Sequence, residues 1–480
     1  MATNPYFTQL HTQRFSFIGS PQQRDGTFAK DQRFVNLYPE LIKSPISDGK
    51  KYYLKKRPGV TPFLSLGAGQ GRGVFFWQTN GNYLSVVGNT LYSNSTPIKT
   101  LNTSTGPVGF TEFRTDTEDV VVLCDGFNGW TIGVGNAVNL ITDANFPTPH
   151  IPNPVFLDGY LFLAHANTQT IHNSALQDQT IWPADGFIDA EMFPDNIVGL
   201  SKVQNYVAAI GGQSIEWFYD NANATGSPLQ RNAPAVSQFG CPAPQTINQT
   251  EKELILVGST SNGGRTIWVV DGFQPKEIAN EPVREALDLE GPSINLATAF
   301  TIQCSGHKWY ILNLFSASRT FVYDFDEQMW HEWSSLTGTQ FPFDYATDAG
   351  NGSPVLIGQN NASSNYMLSP TQFTDNGTAI NCMAITSKLD FDTIMRKRIF
   401  RLSLIGDSPN GINNTPVTVY WSDDDYNTWS SGTTLQLNGS YPTITQLGFT
   451  RRRAFKFVYQ QPYSLRLESF ELDIIQEVRR

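Results

Sequence analysis

A short unit recurs along the middle of the chain: an apolar strand, a turn residue tolerant of positive φ, a second apolar strand, and a third strand with an aromatic or acidic edge. It is clearest in Gly73–Ser93 (GVFFWQTNGNYLSVVGNTLYS) and Asp119–Thr142 (DVVVLCDGFNGWTIGVGNAVNLIT), where Asn-Gly, Asp-Gly and Gly-Asn pairs mark the turns. Looser copies follow at Phe156–His172, Val198–Tyr219, Glu253–Ile278, Lys308–Trp333 and Pro354–Leu368. One hairpin cannot bury its own apolar face, but several small sheets fanned around an axis bury each other's. That is the physical basis of a β-propeller, and six or seven blades fit.

The flanks have a different texture. Residues Phe7 to Gly59 are polar and end in a basic cluster, Lys50, Lys51, Lys55, Lys56 and Arg57, before Pro58 and Gly59. They read as an extended arm that docks on something else. From Ala379 onward seven candidate strands crowd together: Ala379–Phe391, Lys397–Ile405, Pro416–Trp421, Thr433–Gln436, Tyr441–Phe449, Ala454–Tyr459 and Ser464–Ile475. That density suits a β-sandwich. The expectation is an all-β chain with an N-terminal extended arm (1–64), a β-propeller (65–376) and a C-terminal β-sandwich domain (377–480). One helix is predicted, over Glu281–Glu290 with Pro282 in its first turn.

Charge narrows the function classes. Only 16% of the 480 residues are charged, and the net charge is −10. A protein that grips DNA through its phosphates needs a basic face, so general nucleic-acid binding is disfavoured. A neutral or acidic wall past which DNA slides is compatible with this balance. No stretch of 18 apolar residues and no secretory leader is visible, which argues against a membrane span and against a secreted adhesion propeller. Cys124, Cys241, Cys304 and Cys382 are far apart and read as free core thiols; no cysteine–histidine cluster suggests zinc.

The chemical motifs are sparse. His11, His150, His165, His172, His307 and His331 form no ligand pattern, although His165 and His172 share one hairpin. Gly67–Gly73 (GAGQGRG) imitates a phosphate cradle, but strand residues follow it, so it reads as a flexible linker into the first blade. Ser422–Trp429 (SDDDYNTW) matches the Asp-box turn of sialidases through Ser422, Asp424, Thr428 and Trp429, with Tyr426 where that motif has glycine. Its role there is structural. Asp324, Asp326, Glu327 and Asp423–Asp425 are the densest acidic groups; a carboxylate pair for glycoside hydrolysis can come from distant positions, which spacing does not test. The basic clusters Arg396–Arg398 and Arg451–Arg453 read as edge protection or a subunit contact. No cofactor is expected.

Short segments resemble one family collinearly along the chain. Val35–Glu40 (VNLYPE), with Asn36, Tyr38 and Glu40, and Lys56–Val60 (KRPGV), with Arg57, Pro58 and Gly59, resemble the opening of the packaged-DNA stabilisation (tail nozzle) proteins of short-tailed bacteriophages. Gly211–Tyr219 (GGQSIEWFY), Tyr420–Tyr426 and Arg452–Leu472 resemble later segments; the loop Asn221–Pro234 and a terminal hairpin without glycine depart from the pattern. The resemblance implies a non-enzymatic hub made in the host cytoplasm and built into the virion tail. It would be a homo-hexameric ring below the portal-adaptor, retaining double-stranded DNA and conducting it at ejection. It would also anchor tail fibres, tailspikes or a needle. Asn36, Tyr38, Glu40, Arg57, Pro58, Gly59, Arg396, Arg398, Arg451, Arg452 and Arg453 are then the candidate assembly residues. The competing reading is a carbohydrate-binding or glycoside-hydrolysing, sialidase-like propeller. It would need a convergent arginine set, whereas Arg14, Arg24, Arg33 and the C-terminal arginines lie outside the expected blades.

Overall fold

The computed structural model describes residues 10–18, 32–42, 51–116, 118–250, 252–260, 262–360, 362–407, 409, 412, 415–438 and 442–476. Lys50, Arg24 and the beginning of the strand expected at Tyr441 lie outside them. The chain forms two compact units, one of residues 62–318 and 342–368, the other of residues 1–61, 319–341 and 369–480.

The first unit is a seven-bladed propeller. Its innermost strands are Gly71–Trp77, Gly109–Arg114, Val155–Leu157, Ile197–Val203, Asn248–Gln249, Thr298–Cys304 and Tyr345–Thr347. Each neighbours the next, and the seventh returns to the first, so the ring closes. Blades one to four are four-stranded antiparallel sheets in simple sequence order. The Asn221–Pro234 loop carries the outer strand of blade four, Leu229–Arg231. In the seventh sheet the outermost place is taken by Gly59–Gly69, which comes from the opposite end of the unit's sequence.

The packing explains the apolar runs. A central blade strand is covered on both faces, so it reads as continuous hydrophobic sequence, and the period of two decides which neighbour each residue meets. In blade two, Val121 and Leu123 pack against Trp77, Leu84 and Val86 of blade one. Val120, Val122 and Cys124 turn the other way, against Leu161 and Leu163 of blade three. In blade three, Phe162 and Ala164 face Val207 and Ala209 of blade four. Ala208 and Ile210 of blade four then face Leu254 and Leu256 of blade five. All four cysteines are buried free thiols.

The helix is Glu281–Leu289, one residue shorter than expected, with the Asn280 side chain accepting from the Val283 N–H at its N-terminus. Gly67–Gly73 is not a linker. It lies in two strands, Gly59–Gly69 and Gly71–Trp77. Arg72 between its glycines is buried, donating to the carbonyls of Gly106, Gly88 and Thr103. The glycines allow close approach of backbones: a Cβ on Gly71 would sit 2.1 Å from the Gly358 carbonyl oxygen.

The second unit is a sandwich of two sheets. One runs Leu37–Leu41, Tyr52–Lys56, Arg466–Gln476, Lys397–Asp407, Thr443–Thr450, and His11–Ser16 also pairs with Arg466–Gln476. Within this unit the other runs Arg319–Asp324, Met329–Trp333, Arg33–Val35, Cys382–Ile385, Ala454–Tyr459, Pro416–Ser422, Thr433–Gln436. Leu402, Leu404, Phe470 and Leu472 from the first face Val417, Val419, Phe455 and Phe457 from the second. The expected strand Ala379–Phe391 is divided. Thr378–Ala379 and Cys382–Ile385 are separate strands, and the chain turns at Phe391 and Asp392, both at positive φ.

Candidate functional site

The N-terminal motif residues converge on one buried ion pair in the sandwich unit. Asn36 has φ +57°, and it links Arg33–Val35 in one sheet to Leu37–Leu41 in the other. Its side chain is fully used. The amide nitrogen donates to Ser334 Oγ at 2.8 Å and to the Asn381 carbonyl at 2.7 Å. Its oxygen accepts from the Ser334 N–H and from Arg57 Nε. The Arg57 guanidinium meets the Asp375 carboxylate with two bonds, of 2.6 and 3.0 Å. It also donates to the Pro58 and Ser334 carbonyls and lies over the Phe341 and Trp333 rings at 5.0 and 5.5 Å. Gly59 must lack a side chain, because a Cβ there would stand 2.2 Å from the Thr374 carbonyl oxygen.

A second buried cluster lies on the neighbouring strand. The Glu332 carboxylate is gripped by Arg33 and by Arg319, each through two bonds. Burial alone would push Glu332 up, but the two guanidiniums outweigh it and hold the carboxyl below its ordinary value. Tyr38 is buried, with Lys55 5.8 Å above its ring, and Glu40 pairs with Lys55 at 3.6 Å. Lys56 is buried too, and its ammonium donates to the Gln461 carbonyl; burial lowers it to about 8. Asn36, Tyr38, Arg57 and Pro58 therefore spend their side chains inside the unit, and the Gly59 backbone is buried there too.

The C-terminal basic clusters divide by exposure. Arg453 is buried, with two bonds to Asp423 and one to the Leu447 carbonyl. Lys397 is buried and donates to the Thr393 and Arg451 carbonyls. Arg452 is exposed and paired with Asp425. Arg396, Arg398 and Arg451 are exposed, and among the described residues none of them forms a salt bridge.

The acidic groups are likewise engaged. In the Asp-box segment Asp424 accepts from Ser422 Oγ, the Thr428 N–H and Thr428 Oγ1, at 2.8, 2.9 and 2.6 Å. Those hydrogen bonds, Thr428 foremost, lower it to about 2. Tyr426 takes the glycine's place at φ +68°, held there by a bond from its hydroxyl to the Thr386 carbonyl. Asp324 is buried, and its carboxylate accepts from the Asp326 and Glu327 N–H groups. Glu327 accepts from the Leu41 N–H.

The histidines of blade three are structural by their contacts. His150 bonds to the Pro147 carbonyl and the Gly126 N–H, while His165 and His172 stand 6.2 Å apart between ring centres. Burial lowers both His150 and His172. Sequence reasoning missed three side chains at one mouth of the propeller. Tyr345 of blade seven donates to Gln245, next to the inner strand of blade five, at 3.2 Å, and Gln359 donates to Gln245 at 2.9 Å. No local pattern marks them, because the ring closure alone makes them neighbours.

Residues 17–371 match the family model described as bacteriophage P22 Gp10, β-propeller. The chain belongs to that family. It is thus a phage structural protein built on a propeller, and the family supports a place in the virion. No curated protein matches the chain. Solved structures with similar folds include YCF48 bound to D1 peptide, 13% identical over 65% of this chain and 99% of that one, TM-score 0.41. A fungal alcohol oxidase in complex with copper is 11% identical over 85% and 93%, TM-score 0.41. Virginiamycin B lyase from Staphylococcus aureus is 10% identical over 75% and 99%, TM-score 0.37. At such scores these three carry no argument about chemistry. No described helix is long and apolar enough to cross a membrane.

Proposed function

We propose that this chain is a tail nozzle subunit. Copies form a hexameric ring below the portal-adaptor, hold the packaged genome, and conduct it during ejection. The ring also offers attachment to fibres, tailspikes or a needle. The family match over residues 17–371 is the observation that carries this reading.

Two physical points support it. Side chains close in on one mouth of the propeller, where Tyr345 of blade seven hydrogen-bonds Gln245 beside blade five, which favours a conduit between copies over one along a propeller axis. The propeller unit also holds 24 aspartates and glutamates against 10 lysines and arginines. A duplex carries one charge per ~1.7 Å, so an acidic wall repels it and lets it slide. The channel face is expected to be acidic to neutral.

Electron microscopy of particles carrying the chain is the test. A sixfold ring below the portal, with few lysines or arginines on its inner wall, is the expected result. Particles without the chain should package DNA and then lose it. Absence of a ring, or a continuous basic lining, overturns the proposal.

A further inference from the structure

The exposed arginines of the sandwich unit do not stand alone. The turn before Lys397–Asp407 brings up Ile394, which is 81% exposed, and Phe449 across the sheet is 42% exposed. Arg398 and Phe449 are register partners. The Arg396 guanidinium lies 4.4 Å from the Phe449 ring centre, and that of Arg398 lies 5.6 Å from it and 4.6 Å from Phe400. Arg451 ties the patch together by donating to the Ile394 carbonyl at 2.9 Å. Two acids, Asp390 and Asp392, share the turn, but the Asp390 carboxylate accepts the Asp392 N–H and neither forms a salt bridge with these arginines. The result is an apolar centre ringed by three cations that form no salt bridge among the described residues.

A phosphate backbone would satisfy the arginines but leave Ile394 wet, since it offers only charge and sugar. The patch fits an acidic protein surface that also carries exposed apolar side chains. The chain contains one. Residues 111–196, spanning blades two and three, hold 12 acidic residues and a single basic one, Arg114, which pairs with Asp119. At one end of these two blades Val134, Leu176 and Ile181 are exposed among Asp116, Glu118, Asp158, Asp178 and Asp185, and Gln179 donates to Glu118 between the blades.

We propose that the Ile394–Phe449–arginine patch of one copy docks on the acidic, apolar end of blades two and three, around Val134, Leu176 and Ile181, of a second copy. The two faces are different, so the contact is heterologous and repeats head to tail, the geometry that closes into a ring. This rests on the ring reading above and names the surfaces that would build it.

The test uses a photo-crosslinking amino acid at position 394 in assembled particles. Illumination should join two copies of the chain, and the joined peptide should fall within residues 111–196. Reversing Arg396→Glu and Arg398→Glu should cut incorporation into particles on the order of tenfold. Asp178→Lys with Asp185→Lys on the partner should restore it. Both arginines are exposed, so an unchanged melting curve separates lost docking from lost folding. Cross-links to another protein, to DNA or to a different part of the chain overturn the docking, as does undiminished incorporation of the reversed variant. Sixfold images of the same particles keep the outcomes apart. A ring with cross-links elsewhere sinks only the docking, whereas no ring sinks the nozzle reading itself.

Discussion

The propeller unit and the sandwich unit are both β-rich, yet they differ in charge and in what holds them. The propeller has 24 acidic and 10 basic residues, and the sandwich unit has 19 and 23. Between blades the contacts are apolar and join neighbours in sequence. The sandwich also has an apolar core, but its three chain segments are pinned by buried ions: Arg57 with Asp375, and Glu332 with Arg33 and Arg319. Blades of one repeated kind need only greasy faces to find each other. Segments hundreds of residues apart gain from directional bonds that fit in one arrangement, at the cost of burying charge.

The comparison breaks most visibly at Arg57. Arg57→Ala strands the Asp375 carboxylate and should cost the sandwich about 3–5 kcal/mol, the usual penalty for halving a buried pair. Urea unfolding followed by hydrogen exchange should show early opening of Arg33–Val35, Leu37–Leu41, Tyr52–Lys56 and Arg466–Gln476 with the blades still protected. Equal loss of protection in the blades would mean that the units do not unfold separately.

Leu123→Ala is the reciprocal experiment. Removing a fully buried leucine between blades one and two should cost about 2–5 kcal/mol, read in the propeller's exchange rates and not the sandwich's.

Acid sharpens the contrast further. Glu332 binds its proton less readily folded than unfolded, so its stabilisation is complete above the ordinary carboxyl value of about 4.3 and is lost as pH falls through the lower folded value. Denaturation midpoints of the sandwich should drop over that range, and Glu332→Gln should flatten the slope while lowering stability at pH 7.

The smallest effect concerns Lys56, whose burial lowers it to about 8. Between that value and about 10.4 the unfolded chain binds more protons, so stability should rise with pH there. Lys56→Met should abolish the rise and leave the sandwich no less stable at pH 7. A Lys56→Met protein that still gains stability from pH 8 to 10 would assign the slope to other groups.

The propeller was legible because its blades announce themselves: residues 120–124 and Tyr206–Gly211 are apolar without interruption, and Asp-Gly or Gly-Gly turns follow. Seven blades, against six or seven expected, emerge only from the closed ring of inner strands. The Arg57 motif was visible as residues but not as a place, since Asp375 lies 318 positions away. The segment around Met329–Trp333 reads like any other blade strand, yet within the sandwich unit it pairs in parallel with Arg33–Val35. Nothing in a local pattern encodes such long-range pairing. Nor does turn chemistry predict Tyr426 at a glycine's φ, which depends on a tyrosine hydroxyl reaching Thr386.

The strand Arg466–Gln476 occupies the middle of its sheet, bonded to Lys397–Asp407 on one side and to His11–Ser16 and Tyr52–Lys56 on the other. Thr12 and Asp473, which hydrogen-bond across it, are 461 residues apart. During synthesis the early strands therefore wait, with open edges, until residues 466–476 have been made. A product broken off before that point has no central strand, and every ribosomal accident of this kind yields a subunit unable to complete its sandwich.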